Sequence, residues 1–214
     1  MNVFALNEID CVIDVGANSG QYGAFLRDAG YEGHIVSFEP VGSVFDLLSA
    51  RAEADDKWLC YRSALGNERE DRSINVYDST MFSSFLDANA YSKGIWQSLE
   101  GVRPEVVSVA RLDDLMPEIL VLTQSRNVFL KMDTQGYDRY VFAGAIESLS
   151  HVRALQSEVA LIPVYDHMPP PYEVLEDFHR QDFFISGMYP INRDASLAVI
   201  EYDCVLVKRA APAE

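Results

Sequence analysis

The residues best suited to chemistry include two acids that end apolar, strand-like runs and a glycine-rich turn that lies between them. Asp14 ends the run CVID, and Glu39 ends the run HIVSFE about twenty residues after the turn. Glycines between a strand and a helix allow the backbone to approach a ligand closely. An acid at the second position can accept hydrogen bonds from ribose hydroxyls. Together these features predict a nucleoside-binding site.

The glycine spacing narrows the choice of nucleoside. The pattern D-x-G-x-N-x-G comprises Asp14, Gly16, Asn18 and Gly20. A dinucleotide fingerprint needs glycine where Asn18 and Gln21 stand, so NAD and FAD fit poorly and an NAD-dependent oxidoreductase is disfavoured. Asn18 still tolerates a left-handed turn. An acid at the strand end suits a ligand with an ammonium group, and S-adenosylmethionine carries an ammonium, a carboxylate and a ribose.

Strand-like and helix-like segments alternate along the chain and would position these residues. The predicted strands are Cys11–Val15, His34–Phe38, Trp58–Ser63, Asn127–Met132 and Ala154–Val159. The predicted helices are Gly20–Ala29, Gly42–Ala54, Asp113–Leu122, Tyr137–Ser148 and Tyr172–Gln181. This alternation is typical of a doubly wound α/β domain with a mostly parallel sheet.

The C-terminal end and two other regions, 73–104 and 163–171, depart from the alternation. The C-terminal pattern DFFISGMYPINRD followed by LAVIEYDCVLVKR predicts a hairpin with one strand antiparallel in the sheet. Residues 73–78 predict an extra strand, and the aromatic-containing insertion around 79–104 predicts an ordered lid over the pocket. Ordinary packing of a surface insertion is the alternative for 79–104. The proline-rich residues 163–171 predict a stiff loop at the carboxyl edge of the sheet.

Length and charge limit the functional class. The 214 residues predict one domain at 1–209 with an insertion and a frayed tail at 210–214. The net charge of −16, from 33 acids and 17 bases, opposes binding to nucleic acids or anionic membranes. We find no apolar run long enough to span a membrane, and the N-terminus lacks the basic start of a signal peptide.

The cysteines indicate a reducing compartment. Cys11, Cys60 and Cys204 are odd in number, and each lies in an apolar run without C-x-x-C spacing. Buried free thiols explain them better than disulfides or a zinc site. We therefore expect a cytoplasmic protein.

Several motifs together resemble one family, the FkbM-type S-adenosylmethionine-dependent methyltransferases. The resemblance covers roughly residues 10–209 and is carried by VIDVGANSGQYG (12–23), SFEP (37–40), RSALGN (62–67), RLDDL (111–115), FLKMDTQGYDRYVFAGA (129–145), SEVALIPVY (157–165) and EYDCVLVKR (201–209). One departure is Asp138, where the family usually has glutamate. The resemblance implies a Rossmann-like class I methyltransferase fold that binds S-adenosylmethionine.

The cofactor-binding residues implied by this resemblance follow the first, second, third and fourth predicted strands. They are Asp14, Gly16, Asn18, Gly20, Gln21, Glu39, Pro40, Ser63, Ala64 and Asp133. For Ser63, capping of the strand end is the alternative.

Catalysis of methyl transfer depends mostly on positioning, but an aliphatic hydroxyl acceptor also needs a base or a metal. Asp133 is the first candidate, with capping of the following helix as its alternative. Lys131 would pair with Asp133 or hold an acceptor oxygen. Glu158 is a carboxylate in an apolar run and needs a partner. Gln135 would cap a helix or contact the substrate.

Histidine and metal chemistry provide two further alternatives. His167 lies in the proline-rich loop and could act as a general base, or it is simply a solvated loop residue. Asp133 and Glu158, with either Asp166 or His167, could form an oxygen-rich Mg²⁺ site.

The leading functional hypothesis from the resemblance is an O-methyltransferase acting on a hydroxyl of a small molecule, a sugar or glycan, or a polyketide-like natural product. An N-methyltransferase and a non-catalytic S-adenosylmethionine-binding module are the alternatives. The expected partner is the small-molecule or glycan acceptor, without nucleic acid or membrane. A homodimer is compatible with the sequence.

Overall fold

A seven-stranded sheet forms the centre of the protein in the computed structural model, which describes residues 2–99 and 101–209. The strands in chain order are β1 (Cys11–Val15), β2 (His34–Phe38), β3 (Trp58–Tyr61), β4 (Ala64–Leu65), β5 (Glu70–Tyr77), β6 (Val102–Ala110), β7 (Val128–Met132), β8 (Val152–Ala160), β9 (Phe183–Arg193) and β10 (Val199–Lys208). The order in the large sheet is β3-β2-β1-β7-β8-β10-β9. β10 is antiparallel to both β8 and β9, as the C-terminal hairpin predicts. The predicted frayed tail, 210–214, lies outside the described residues.

Helices cover both faces of this sheet, which confirms the predicted doubly wound α/β fold. They are α1 (Asn2–Leu6), α2 (Gln21–Asp28), α3 (Gly42–Ala52), α4 (Ala90–Ile95), α5 (Leu112–Thr123), α6 (Asp138–Ala143) and α7 (Pro171–Arg180). On one face, Leu26 of α2 and Leu48 of α3 pack in a cluster with Val12 of β1. On the other, α5, α6 and α7 pack in a cluster with Ile13 and Leu130. Side chains alternate along β1, so one strand supplies both clusters.

A second, three-stranded sheet has the order β4-β6-β5. The extra strand predicted at 73–78 overlaps the end of β5. The predictions do not include β6: residues 102–104 belong to the predicted insertion, and no element is predicted at 105–110. Pro104 within β6 interrupts a strand pattern. Only Val107 and Val109 of β6 are buried, so the apolar signal is short. The sequence therefore understates how much of this region is strand.

The insertion around 79–104 is ordered by short helical turns and by contacts with the rest of the protein. It contains two 3₁₀ turns, Thr80–Phe82 and Gln97–Leu99, with α4 between them. Isolated bridges join Ser84 to Asn75 and Ala88 to Tyr165. The start of the segment is therefore anchored to β5, and a later part is anchored to the loop after β8.

Most predicted boundaries lie within two residues of those observed, with one notable break. The helix predicted at Tyr137–Ser148 is α6 followed by a separate 3₁₀ turn, Ile146–Ser150. Gly144 separates them and lies against the backbone of Gly66, where a larger residue would not fit. None of the described helices has both the length and the apolar character needed to cross a membrane.

Candidate active site

A cavity of about 720 Å³ opens at the carboxyl ends of β1, β2, β7 and β8. In a doubly wound sheet this edge is where ligands bind. Residues 80–85 of the insertion form one wall, and Asn192, Glu201 and Asp203 of the C-terminal hairpin contribute to another. The volume lies within the range of about 300–1,000 Å³ that is typical of small-molecule pockets.

The glycine turn after β1 forms the cavity floor. Gly16 has φ +77°, and its N–H donates to the carbonyl oxygen of Phe38 at 3.0 Å. A Cβ on Gly16 would overlap the carbonyl oxygen of Asp133, so β1 and β7 approach each other closely here. Asn18 has φ +47°, as its tolerance of left-handed backbone predicts, and its side-chain Nδ2 donates to Thr80 Oγ1 at 3.2 Å. The turn thus contacts the insertion directly.

Glu39 lines the cavity beside this turn and is almost fully buried. Its Oε2 accepts from the N–H of Asn18 at 3.0 Å, and its Oε1 accepts from the N–H of Val41 at 2.8 Å. Burial raises the pKa of Glu39 to about 7, although the two N–H donors oppose the rise. Each carboxylate oxygen has two lone pairs, so one per oxygen is left for a ligand. Gln21, Pro40 and Ala64, which are predicted to bind the cofactor, also line the cavity.

Three of the predicted cofactor residues do not line the cavity. Asp14 is fully buried beneath Lys131. Gly20 is the N-cap residue before α2 and faces Leu48, so its role in the structure is in the turn. The Ser63 hydroxyl donates to the carbonyl oxygen of Ala64 at 2.8 Å, consistent with the strand-end alternative.

Lys131 lies between two carboxylates at the cavity surface. Its Nζ is 3.1 Å from Asp14 Oδ1 and 3.2 Å from Asp133 Oδ2, and it lies 5.0 Å from the centre of the Tyr22 ring. Burial lowers the pKa of Lys131, but the charges of Asp133 and Asp14 outweigh it and raise the pKa above its usual value. The ammonium therefore stays protonated at neutral pH and cannot take a proton from an acceptor.

Asp133 and Glu158 both face the cavity and are joined by one amide. The Gln135 Nε2 donates to Asp133 Oδ1 at 3.2 Å and to Glu158 Oε2 at 2.8 Å. Burial and the nearby charge of Asp133 raise the pKa of Glu158 well above its ordinary value. The structure does not support the capping alternative for Asp133, because α6 begins five residues later, at Asp138.

Asp138, which stands where the family usually has glutamate, is buried, and its carboxylate is hydrogen-bonded inside the protein. Its carboxylate accepts from the Thr134 N–H at 2.8 Å, the Ser157 hydroxyl at 2.8 Å and the Glu158 N–H at 3.0 Å. These bonds join the loop after β7 to β8 directly beside Glu158. The shorter side chain thus orients the site without lining the main cavity.

The C-terminal hairpin brings two acids to the cavity that the sequence analysis missed. Glu201 is 5% exposed, and its Oε2 accepts from the Asn192 Nδ2 at 2.9 Å. Asp203 lies opposite Glu158 in the antiparallel register. Burial raises the pKa of both Glu201 and Asp203, and Asp133 adds to the effect. The available signal was the motif EYD inside an apolar strand, where unpaired acids are rarely tolerated.

His167 and the Mg²⁺ alternative do not fit this arrangement. His167 and Asp166 are exposed in the loop after β8, and neither lines the cavity. Within the described residues, no three Asp, Glu, His or Cys side chains are grouped closely enough to hold a metal ion. The Gln135 amide instead bridges Asp133 and Glu158. The described residues therefore support neither the base role of His167 nor the Mg²⁺ site.

The raised pKa of Glu201 predicts a pH-dependent gain in stability on neutralising it. Folding disfavours the charged form, so this group destabilises the folded protein once the pH exceeds its ordinary pKa of 4.5. We expect Glu201→Gln, which keeps an acceptor for Asn192, to raise Tm by about 2–4 °C at pH 8. The difference should shrink as the pH falls towards 4.5. Thermal unfolding across this pH range tests it, and an equal Tm at pH 8 would contradict it.

Comparison with known proteins decides the family. The profile of the methyltransferase FkbM domain matches residues 14–188, which include the glycine turn, Glu39 and the two bridged carboxylates. The chain belongs to the FkbM methyltransferase family. No curated protein sequence matches this FkbM methyltransferase at a significant level.

Solved structures similar to this FkbM methyltransferase share its fold at low sequence identity. An uncharacterised protein from Listeria monocytogenes serotype 4b has a TM-score of 0.53 at 8% identity, covering 100% of this chain and 70% of its own. Magnesium protoporphyrin IX methyltransferase from Synechocystis PCC 6803, solved with bound S-adenosylmethionine, has 0.51 at 10%, covering 97% and 78%. Aeropyrum pernix fibrillarin, with natively bound S-adenosyl-L-methionine, has 0.50 at 10%, covering 96% and 73%. They establish the Rossmann-like methyltransferase fold.

Proposed function

We propose that the protein binds S-adenosylmethionine in the cavity and transfers its methyl group to a hydroxyl of a small molecule, such as a sugar, a glycan or a polyketide-like natural product. The observation that carries the proposal is that two groups of residues line two parts of the same cavity. The glycine turn and Glu39 lie at one part, and the bridged acids Asp133 and Glu158 lie at the other. The free cysteines, of which Cys11 and Cys204 are buried and Cys60 is half-buried, favour a cytoplasmic location for this activity.

The first part of the cavity fits the cofactor in chemistry and in shape. The carboxylate of Glu39 has free lone pairs for ribose hydroxyls. Gly16 lines the cavity without a side chain, so the methionine part can contact the backbone there. Ala64 and Pro40 provide apolar surface for the adenine ring. The S-adenosylmethionine-bound neighbours from Synechocystis and Aeropyrum support the same assignment.

The second part of the cavity supplies a proton acceptor for the hydroxyl. S-adenosylmethionine provides a methyl group on a good leaving group, so activation of the acceptor is left to the protein. The raised pKa of Glu158 suits a general base, since an efficient base has a pKa near the working pH. Asp133, 41% exposed and paired with Lys131, is placed to accept a hydrogen bond that orients the same hydroxyl.

An amine acceptor is the second candidate, and a specific observation favours it. One lysine lines the cavity against five acids, namely Glu39, Asp133, Glu158, Glu201 and Asp203. Such a surface attracts a protonated amine and repels anionic acceptors. Product analysis with methyl-labelled cofactor and matched pairs such as glucose and glucosamine separates O-methylation from N-methylation.

Calorimetry tests the cofactor site without knowledge of the acceptor. We expect S-adenosylhomocysteine to bind the wild-type protein and Glu39→Ala to weaken it at least about tenfold, because charged hydrogen bonds are lost. Glu147→Ala is the matched control, since Glu147 is an exposed acid away from the cavity. Thermal unfolding of both variants reports whether Glu39→Ala is folded. No binding to the wild-type protein would overturn the proposal.

A further inference from the structure

Gln135 occupies an unusual position between the two candidate catalytic acids. Its side-chain nitrogen has two hydrogens, and the two acceptors within reach belong to different carboxylates, Asp133 at 3.2 Å and Glu158 at 2.8 Å. Its Oε1 lies 2.9 Å from the hydroxyl of Tyr165, which is fully buried. Rotating the amide by half a turn would direct oxygen at two carboxylates, so the contacts define one orientation.

The backbone at Gln135 is held in a conformation that residues other than glycine rarely adopt. Its φ is +53°, and Gly136 follows with φ +87°. Left-handed backbone is unfavourable for a residue with a Cβ. The Ser84 hydroxyl donates to the Gln135 carbonyl oxygen at 2.7 Å and so ties this turn to the insertion. Contacts on both sides of the residue therefore maintain a strained turn that aims the amide into the cavity.

We propose that Gln135 is a positioning residue whose amide holds Asp133 and Glu158 at a fixed separation, so that Glu158 faces the acceptor in the orientation needed to take its proton. The inference rests on the proposed function, because it assigns Gln135 a part in that same transfer. Within the described residues, this amide is the side chain that hydrogen-bonds both carboxyl groups. The bridge also lowers the cost of ionising Glu158, because a donated hydrogen bond favours the charged form.

Other groups around Glu158 raise its pKa and so oppose the effect of the Gln135 bridge. The acids whose charges raise its pKa come from the loop after β7, from α6 and from β10, and they are Asp133, Asp138, Glu201 and Asp203. Lys131 is the nearby cation, and it is engaged by Asp14 and Asp133. Apart from its strand pairing with β10, two hydrogen bonds of Glu158 are found among the described residues, one from the Gln135 amide and one from its own N–H to the Asp138 carboxylate. Only the first of these reaches the Glu158 carboxylate.

The test replaces Gln135 by methionine, which has a similar size but no amide group. We expect Gln135→Met to raise the pKa of Glu158 by about one unit or more, measured from carbon-13 labelled glutamate with the resonance assigned by loss in Glu158→Gln. The acid limb of the methyl-transfer rate should move to higher pH by the same amount, and kcat should fall about 10- to 100-fold. S-adenosylhomocysteine affinity should stay within about twofold of wild type.

Two further variants make the result interpretable. Gln124→Met is the matched control, since Gln124 is also a glutamine in left-handed backbone, with φ +54°, but is exposed and distant from the cavity. Tyr165→Phe removes the group that fixes the amide oxygen and should shift the Glu158 titration in the same direction by less. An unchanged Glu158 titration in Gln135→Met would overturn the inference. Failure of the proposed function appears separately, as absent S-adenosylhomocysteine binding in the wild-type protein.

Discussion

Replacing Glu158 by glutamine is expected to lower kcat for methyl transfer to a hydroxyl about 100- to 10,000-fold, the usual contribution of a positioned general base. Glutamine keeps the size of the side chain and an oxygen that can accept from Gln135, but it cannot take a proton. The expected loss therefore falls on the chemical step. S-adenosylhomocysteine affinity should change little, because the proposed cofactor contacts lie at Glu39 and the glycine turn.

The pH dependence provides a second expectation for Glu158. The residue acts as a base only when ionised, so the rate should fall as the pH drops below its pKa. Burial and the neighbouring acids raise that pKa well above 4.5, so the acid limb of the wild-type profile should lie above this value. Steady-state rates from pH 5 to 9 measure it, with Glu147→Gln as the control. A Glu158→Gln rate within twofold of wild type would remove the residue from the mechanism.

Replacing Gly16 by alanine is expected to abolish S-adenosylhomocysteine binding and to lower Tm. The new Cβ would overlap the carbonyl oxygen of Asp133, and that oxygen belongs to the backbone, so it cannot swing aside. The strands β1 and β7 would have to separate at the cavity floor. The left-handed φ of +77° adds a further cost of about 1–2 kcal/mol.

Gly30→Ala separates these two costs. Gly30 has a similar φ of +83°, but a Cβ there would meet no atom within 4 Å. It should show only the backbone cost, with binding as in wild type. Calorimetry and thermal unfolding of the two variants provide the comparison. Equal changes in both would show that the close approach of Gly16 to Asp133 has no special importance.

The sequence is most informative where a local pattern alone determines structure. β1 and β2 have the predicted bounds because each is a short apolar run that ends at an acid or a glycine turn. Glu39 and Gly16 could be assigned from the same local spacing. β6 could not, because charged residues and Pro104 obscure its alternation and its pairing with β5 depends on contacts across the fold.

The acceptor side of the cavity was less predictable because its residues come from distant parts of the chain. Glu201 and Asp203 reach Glu158 only because β10 enters the sheet antiparallel beside β8. The bridging geometry of Gln135 likewise depends on the left-handed turn that follows β7. His167 has a suitable residue type, but its loop places it at the surface. Residue type and chain position indicate candidates, and strand order determines which of them meet.

The anchoring of the insertion has a consequence for how ligands would exchange. Residues 80–83 lie between the bridge of Ser84 to Asn75 and the strand β5, so they can open without unfolding the sheet. Such an opening would break the hydrogen bonds of Thr80 to Asn18 and of the Phe82 carbonyl to Tyr165, and the packing of Phe82 against Trp96. Amide hydrogens here should therefore exchange with solvent far faster than those of β1 and β7. Cofactor entry would then be governed by a local fluctuation of a few residues.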